Sequence, residues 1–195
     1  MTQTDFSQAR KAMIDSQLRT CGINEPFVLT AMSSIARENF VPEKAKSVAY
    51  TDRAIPLGKG QSLAPPLFHG KLLAEANPGL DDSCLVIENG SSYLSELLRM
   101  IGPRVDAKSI QDILDIKLGR KSYSLILIDG AVEEIPAVLL KRLLNGGKIV
   151  TGLVERGVTR LASGRKISGS VFLQPIADLG IPVLQDLSKP KEWSF

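Results

Sequence analysis

The chain has 195 residues, with 24 Lys and Arg against 21 Asp and Glu, a formal net charge of +3, and 44% hydrophobic residues, the proportions of an ordinary soluble protein with one substantial core. No apolar run reaches the roughly 18 residues of a membrane span, and the polar start Met1-Thr2-Gln3-Thr4-Asp5 lacks the basic-then-apolar pattern of a secretory signal. A cytoplasmic location without a membrane partner is therefore expected.

The basic concentration Arg156, Arg160, Arg165 and Lys166 is interleaved with Gly, Ser and aliphatic residues, so it reads as a solvated hairpin face and no nucleic-acid partner is expected. Cys21 and Cys84 fall in unrelated segments and read as two reduced thiols, with no metal site and no disulfide. No oligomeric state follows from these patterns.

In chain order, Phe6, Ala9, Met13, Ile14 and Leu18 recur at helical spacing between Asp5 and Cys21, and Gly22 follows as a stop. Asn24 reads as the N-cap of a second helix with Pro26 in its first turn, Val28, Leu29, Met32 and Ile35 on its apolar face, and an end before Pro42. Residues 43–66 hold closely spaced Gly and Pro and no sustained period, the mark of a long loop more often functional than idle. Pro66 opens a third helix through Leu67, Leu72, Leu73 and Ala76, closed by Pro78-Gly79 and carrying the lone His69, which reads as a half-buried packing or capping residue.

The rest of the chain is organised around Ser83–Tyr93, where an apolar run of strand length meets a small-residue turn and then a helix from Tyr93 to Ile101. Val105–Leu118 fits a strand or a helix. Tyr123–Asp129 is a continuous apolar run, expected as a central parallel strand covered on both faces, and Asp129 ends it at the carboxyl edge, where it reads equally as a ligand-side residue of an open α/β sheet and as a turn cap before Gly130. A helix over Ile135–Leu144, closed by Asn145-Gly146-Gly147, and a strand over Lys148–Val154 follow. The tail then reads as an antiparallel hairpin around Ser163-Gly164 and Ser168-Gly169, with Ile181–Leu184 as a further edge strand and Trp193 and Phe195 packing the end down. The pattern predicts one domain: a helical cap with a long loop over 1–78, and over 83–195 a doubly wound, mostly parallel α/β sheet with an antiparallel C-terminal edge.

Several ordered segments share a resemblance. They are Gln17-Leu18 with Gly22-Ile23; Arg37-Glu38-Asn39-Phe40-Val41-Pro42; Ala49-Tyr50-Thr51-Asp52 with Ile55–Ser62; and Glu134-Ile135-Pro136 with Leu139-Leu140 and Gly146-Gly147. Together they resemble the protein-L-isoaspartate O-methyltransferase family over nearly the whole chain. The resemblance implies a Rossmann-like methyltransferase fold, S-adenosyl-L-methionine as cofactor, and isoaspartyl-containing proteins or peptides as substrate in protein repair. It implies a cofactor loop at Glu88, Asn89, Gly90, Ser91, Ser92 and Tyr93, a ribose-holding acid for which Asp106 is the stand-in, and a substrate loop with Tyr50, Asp52, Gly60, Gln61 and Ala64. Ser62 and Asp129 are the candidate catalytic residues, Ser62 because the family's serine is replaced by Ala64.

Methyl transfer from a sulfonium to an ionised carboxylate needs no strong general base, so proximity, orientation and water exclusion are most of the work. Positioning of the cofactor is therefore decisive. The family pattern Glu-(Ile/Val)-Gly-x-Gly-(Ser/Thr)-Gly-Tyr becomes Val86-Ile87-Glu88-Asn89-Gly90-Ser91-Ser92-Tyr93, in which Gly90 alone keeps a glycine, and Leu94–Ser122 is short for the strand, helix and strand the family places there. Three readings stay open: a working carboxyl methyltransferase, a catalytically silent homologue that binds a partner, and an enzyme holding another nucleotide in the same crevice. Of the remaining charged residues, Arg37 and Glu38 read as an ion pair of little energetic weight at a helix end, and Arg53 and Lys59 as exposed loop cations that can attract an acidic peptide but usually do nothing specific.

Overall fold

The computed structural model describes residues 6–187. Helix α1 (Phe6–Met13) runs on through a wider turn at Ile14–Leu18 and a tighter one at Arg19–Cys21, where Gly22 takes the left-handed conformation that stops it. Helix α2 (Pro26–Ser34) begins one residue later than the sequence suggests: its N-cap position is Glu25, not Asn24, and Pro26 supplies the preset backbone of the first turn. Residues 43–66 are more ordered than their composition implies. A 3-10 turn at Glu43–Val48 precedes a hairpin of β1 (Ile55–Gly58) and β2 (Gln61–Leu63), joined through Lys59 and Gly60, both at positive φ as a type I′ turn requires.

Helix α3 (Pro66–Ala76) leads to β3 (Ser83–Glu88), α4 (Tyr93–Ile101), β4 (Arg104–Ser109), the short α5 (Ile110–Leu114), β5 (Tyr123–Val132), α6 (Ala137–Arg142) and β6 (Leu143–Glu155). The ambiguous stretch after Gly102 thus holds both a strand and a helix. Strands β7 (Val158–Ile167), β8 (Ser170–Val171) and β9 (Gln174–Asp178) complete a sheet in the order β4-β3-β5-β6-β7-β8, with β9 also on β7. Pairing is parallel from β4 to β6 and antiparallel beyond, the doubly wound sheet with an antiparallel edge.

The predicted edge strand at Ile181–Leu184 is absent: only an isolated bridge joins Val183 to Ala131, and β9 takes the edge. The hairpin turn lies at Ser168-Gly169, while Ser163-Gly164 sit inside β7. Arg160 bonds Glu155 and Asp178, Arg165 donates to the Gly146 carbonyl and Lys166 to those of Leu140 and Leu143, so these cations tie β7 to β6, β9 and α6. Trp193 and Phe195 lie outside the described residues.

The apolar runs of β3 and β5 are explained by burial on both faces. Cys84, Val86, Leu125 and Leu127 join the core under α1 to α4, whereas Leu85, Ile87, Ile126 and Ile128 join the core against α5 and α6. On the same alternation Glu88 and Asp129 turn toward the side of the helical cap. Among the described residues, no helix is long and apolar enough to cross a membrane.

Candidate functional site

The carboxyl ends of β3 and β5 meet the helical cap around a buried chain of polar groups. Arg37, fully buried, donates from Nε to the Ala49 carbonyl at 2.7 Å and from Nη2 to the Ala64 carbonyl, and its Nη1 lies 3.2 Å from His69 Nδ1. His69 Nε2 lies 2.8 Å from Asp129 Oδ1, and both of those side chains are fully buried. Arginine has donors only, so His69 Nδ1 must accept and Nε2 must carry the hydrogen that Asp129 receives. The arrangement is a guanidinium and a carboxylate bridged by a neutral imidazole. Burial pulls the Arg37 guanidinium below its ordinary pKa, while Tyr93 and Asp129 act in the opposite sense.

Arg37 therefore brackets the loop between residues 49 and 64, and does not pair with Glu38 as the sequence suggests. Glu38 instead accepts from the Tyr50 hydroxyl and from Arg10 Nη2 at 3.2 Å, and Arg10 Nε reaches Tyr50 Oη at 2.7 Å. Burial, with the bond to Glu38, raises the Tyr50 phenol well above its usual range. Asp52 accepts from the Leu67 N–H at 3.1 Å, satisfying one of the free donors at the start of α3. Gly60 forms the exposed hairpin turn, and Ala64 is buried with its carbonyl committed to Arg37. Ser62 pairs with Pro56, and strand alternation turns it away from the side on which Gln61 packs.

The loop after β3 alternates buried and exposed residues, Gly90 among the exposed ones. Glu88 is half-buried, accepts from Ser95 Oγ at 2.5 Å, and has its carboxyl pushed up by burial, only partly offset by Ser95 and Arg99; Asp129 adds to the rise. Asn89 and Ser91 are buried, Ser92 is exposed, and Ser91 Oγ accepts from the Tyr93 N–H at 3.2 Å. Gly90 has φ +82°, and a Cβ there would fall 2.5 Å from Gln61 Oε1 and 2.7 Å from Gln61 Cβ. Tyr93 is fully buried, edge-on to Phe40 at 5.2 Å and to His69 at 5.3 Å, under the guanidinium of Arg37.

Asp106 lies apart from this group. It is opposite Leu85, short of the end of β4, and accepts from Lys121 Nζ at 2.7 Å and Tyr123 Oη at 2.9 Å, the lysine bond holding its carboxyl below the usual value. Ser109 stands opposite Glu88 at the strand end, where it forms a capping box with Asp112 at the start of α5. The fold thus brings together Glu88, Gly90, Gln61, Tyr93 and Asp129, holds Tyr50, Asp52 and Ala64 in the framework of the loop, and leaves Asp106 outside.

Residues 8–122 match a family model described as Protein-L-isoaspartate(D-aspartate) O-methyltransferase. The chain belongs to this family. A protein-L-isoaspartate O-methyltransferase 2 of Anaeromyxobacter sp. is 30% identical over 168 residues, covering 72% of this chain and 68% of the relative. A protein-L-isoaspartate O-methyltransferase of Syntrophus aciditrophicus is 28% identical with 97% and 98% coverage. A structure from Plasmodium falciparum, of a protein-L-isoaspartate O-methyltransferase in complex with S-adenosyl-L-homocysteine, superposes with a TM-score of 0.70 over 94% of this chain and 100% of that one, at 16% identity, which speaks for the fold.

For a member of the isoaspartate methyltransferase family, the residue that reading the sequence undervalued is His69. It is fully buried and is the link between Arg37 and Asp129, not a half-buried packing residue. The available signal was an ionisable group on the apolar face of α3, a position that a buried polar side chain holds only when partnered.

Proposed function

We propose that this chain engages isoaspartyl-containing proteins or peptides through the loop over residues 49–64, as a catalytically silent member of the methyltransferase family that does not use S-adenosyl-L-methionine. The observation that carries the reading is the seat of Gln61 on Gly90. The Gln61 side chain of the chain's own hairpin occupies the place where a Cβ on Gly90 would fall, while Gly90 itself is exposed. Glu88 compounds this with a half-buried carboxylate beside the turn, where the carboxylate of a methionine moiety would meet a like charge at a cost on the order of 1 kcal/mol. The adenosine side lacks an acid at the end of β4, because Asp106 is engaged by Lys121 and Tyr123 and the strand ends in Ser109. These features are what speaks against the cofactor. The substrate side, by contrast, is held at both ends by Arg37.

The family's own reaction, methyl transfer from S-adenosyl-L-methionine to an isoaspartyl carboxylate, is the second reading. It is supported by family membership and by the S-adenosyl-L-homocysteine held by the structural relative. Calorimetry separates the two. The first expects heat with an isoaspartyl peptide, less with its aspartyl twin, and none with S-adenosyl-L-methionine or S-adenosyl-L-homocysteine at millimolar concentration. Micromolar cofactor binding together with methyl transfer to the isoaspartyl peptide would establish the second and sink the first. A cytoplasmic site of action fits both.

A further inference from the structure

A groove of about 860 Å³ runs between the 3-10 turn Glu43–Val48 and strand β1, with Pro42, Val48, Ile55 and Leu57 in its walls. Lys44 and Arg53 also line it. Both are exposed, and neither has an ion pair or side-chain hydrogen bond among the described residues. The acids of the same segments are committed elsewhere: Glu43 pairs with Lys46 at 2.7 Å, and Asp52 accepts from the Leu67 N–H. An aliphatic trough with two uncompensated cations remains.

Three kinds of occupant can be weighed. Strand addition by a second copy is opposed by Pro56, which has no N–H to offer at this edge. A nucleic acid would need more phosphate partners and aromatic stacking platforms, and the lining is aliphatic. An extended polypeptide with an apolar residue beside a carboxylate matches both the trough and its charge.

We propose that this groove docks an extended acidic segment of a protein partner, an aliphatic side chain resting on Val48 and Leu57 and a carboxylate between Lys44 and Arg53. The proposal rests on the reading of residues 49–64 as the protein-facing loop and deepens it by naming the chemistry recognised. Because exposed charges of this kind act weakly and through screened fields, the interaction is expected to fade as salt rises.

The test is fluorescence anisotropy on the full chain with a short labelled peptide of alternating Asp and Leu, the same peptide with Asn in place of Asp, and a single-stranded oligonucleotide. The Asp peptide is expected to bind about tenfold more tightly than the Asn peptide at low salt, and Lys44→Glu with Arg53→Glu to remove about that factor. The pair Arg120→Glu with Lys141→Glu, a matched loss of charge at exposed sites away from the groove, should leave binding within about twofold. Equal binding of the two peptides, tighter binding of the oligonucleotide, or equal loss in both variant pairs overturns the proposal. Ordinary aspartate suffices for this test, so an isoaspartyl peptide that binds no better than its twin counts against the proposed function alone.

Discussion

Gln61 and Gly90 are packed against each other so closely that a Cβ on Gly90 would lie 2.5 to 2.8 Å from three atoms of the Gln61 side chain. One residue comes from the hairpin β1–β2 and the other from the loop after β3, so these two loops are packed against each other. Gly90→Ala meets both this crowding and a backbone at φ +82° that L-residues disfavour. The expected loss is about 2 kcal/mol in urea unfolding. The same substitution in a Gln61→Gly background should cost about half as much, leaving the conformational part alone.

Restoring glycines is a different question from relieving the packing. Glu88→Gly with Ser92→Gly returns the backbone pattern of the family's loop but neither supplies an acid at the end of β4 nor moves Gln61 away from Gly90. Calorimetry with S-adenosyl-L-homocysteine is expected to show no heat for this variant. Measurable binding would mean that the lost glycines alone were the obstacle.

Among the described residues, Asp129 is the one carboxylate bonded to the imidazole bridge that ends on Arg37. Its replacement leaves a buried guanidinium without its counter-charge, the situation in which breaking a buried pair is costly. Asp129→Asn should lower stability by about 3 kcal/mol, and Arg37→Met by a similar amount. The double variant should lose less than the sum, by about 1 to 3 kcal/mol, because the second substitution removes the partner that the first stranded. Additive losses in the double-mutant cycle would show that the imidazole does not couple the two charges.

The sheet was legible because β3 and β5 are continuous apolar runs, which a strand buried on both faces requires, and Gly22 and Gly102 mark helix ends through positive φ. The hairpin β1–β2 was hidden, since strands of four and three residues made largely of Gly, Pro and polar residues show no period. The edge at β9 was misplaced because Ile181–Leu184 is more apolar than Gln174–Asp178, yet it is the latter, Pro175 included, that pairs along β7. Within the candidate site, motif position pointed to Glu88 and Gly90 and the end of a central strand to Asp129, but the bond from His69 to Asp129 joins residues 60 apart and leaves no local trace. Glu38 illustrates the same point: it is adjacent to Arg37 in sequence, and its partners Arg10 and Tyr50 come from elsewhere.

Tyr50→Phe tests that second network. The hydroxyl both donates to Glu38 and accepts from Arg10, so its removal leaves a mostly buried carboxylate short of one donor. A loss of about 1 to 2 kcal/mol is expected in urea unfolding. Glu38 retains Arg10, which is why the effect should stay below that of Asp129→Asn.

Glu88 gives a pH signature of opposite sign to that of a salt-bridged acid. Burial raises its folded-state pKa, so between the unfolded value of about 4.3 and the raised folded value the native protein holds the proton more firmly than the unfolded chain. In that window the unfolded state binds fewer protons, and the contribution of Glu88 to stability falls as pH rises through it, ending as a fixed penalty at neutral pH. Glu88→Gln keeps an oxygen that can accept from Ser95 Oγ and removes the charge. The variant should therefore gain on the wild type between pH 4 and pH 7, by less than about 1 kcal/mol because solvent reaches half of the group and screens it. Urea midpoints of both proteins at the two pH values measure the difference. A variant that instead loses ground on going to pH 7 would mean that Arg99 and Ser95 stabilise the carboxylate more than burial penalises it.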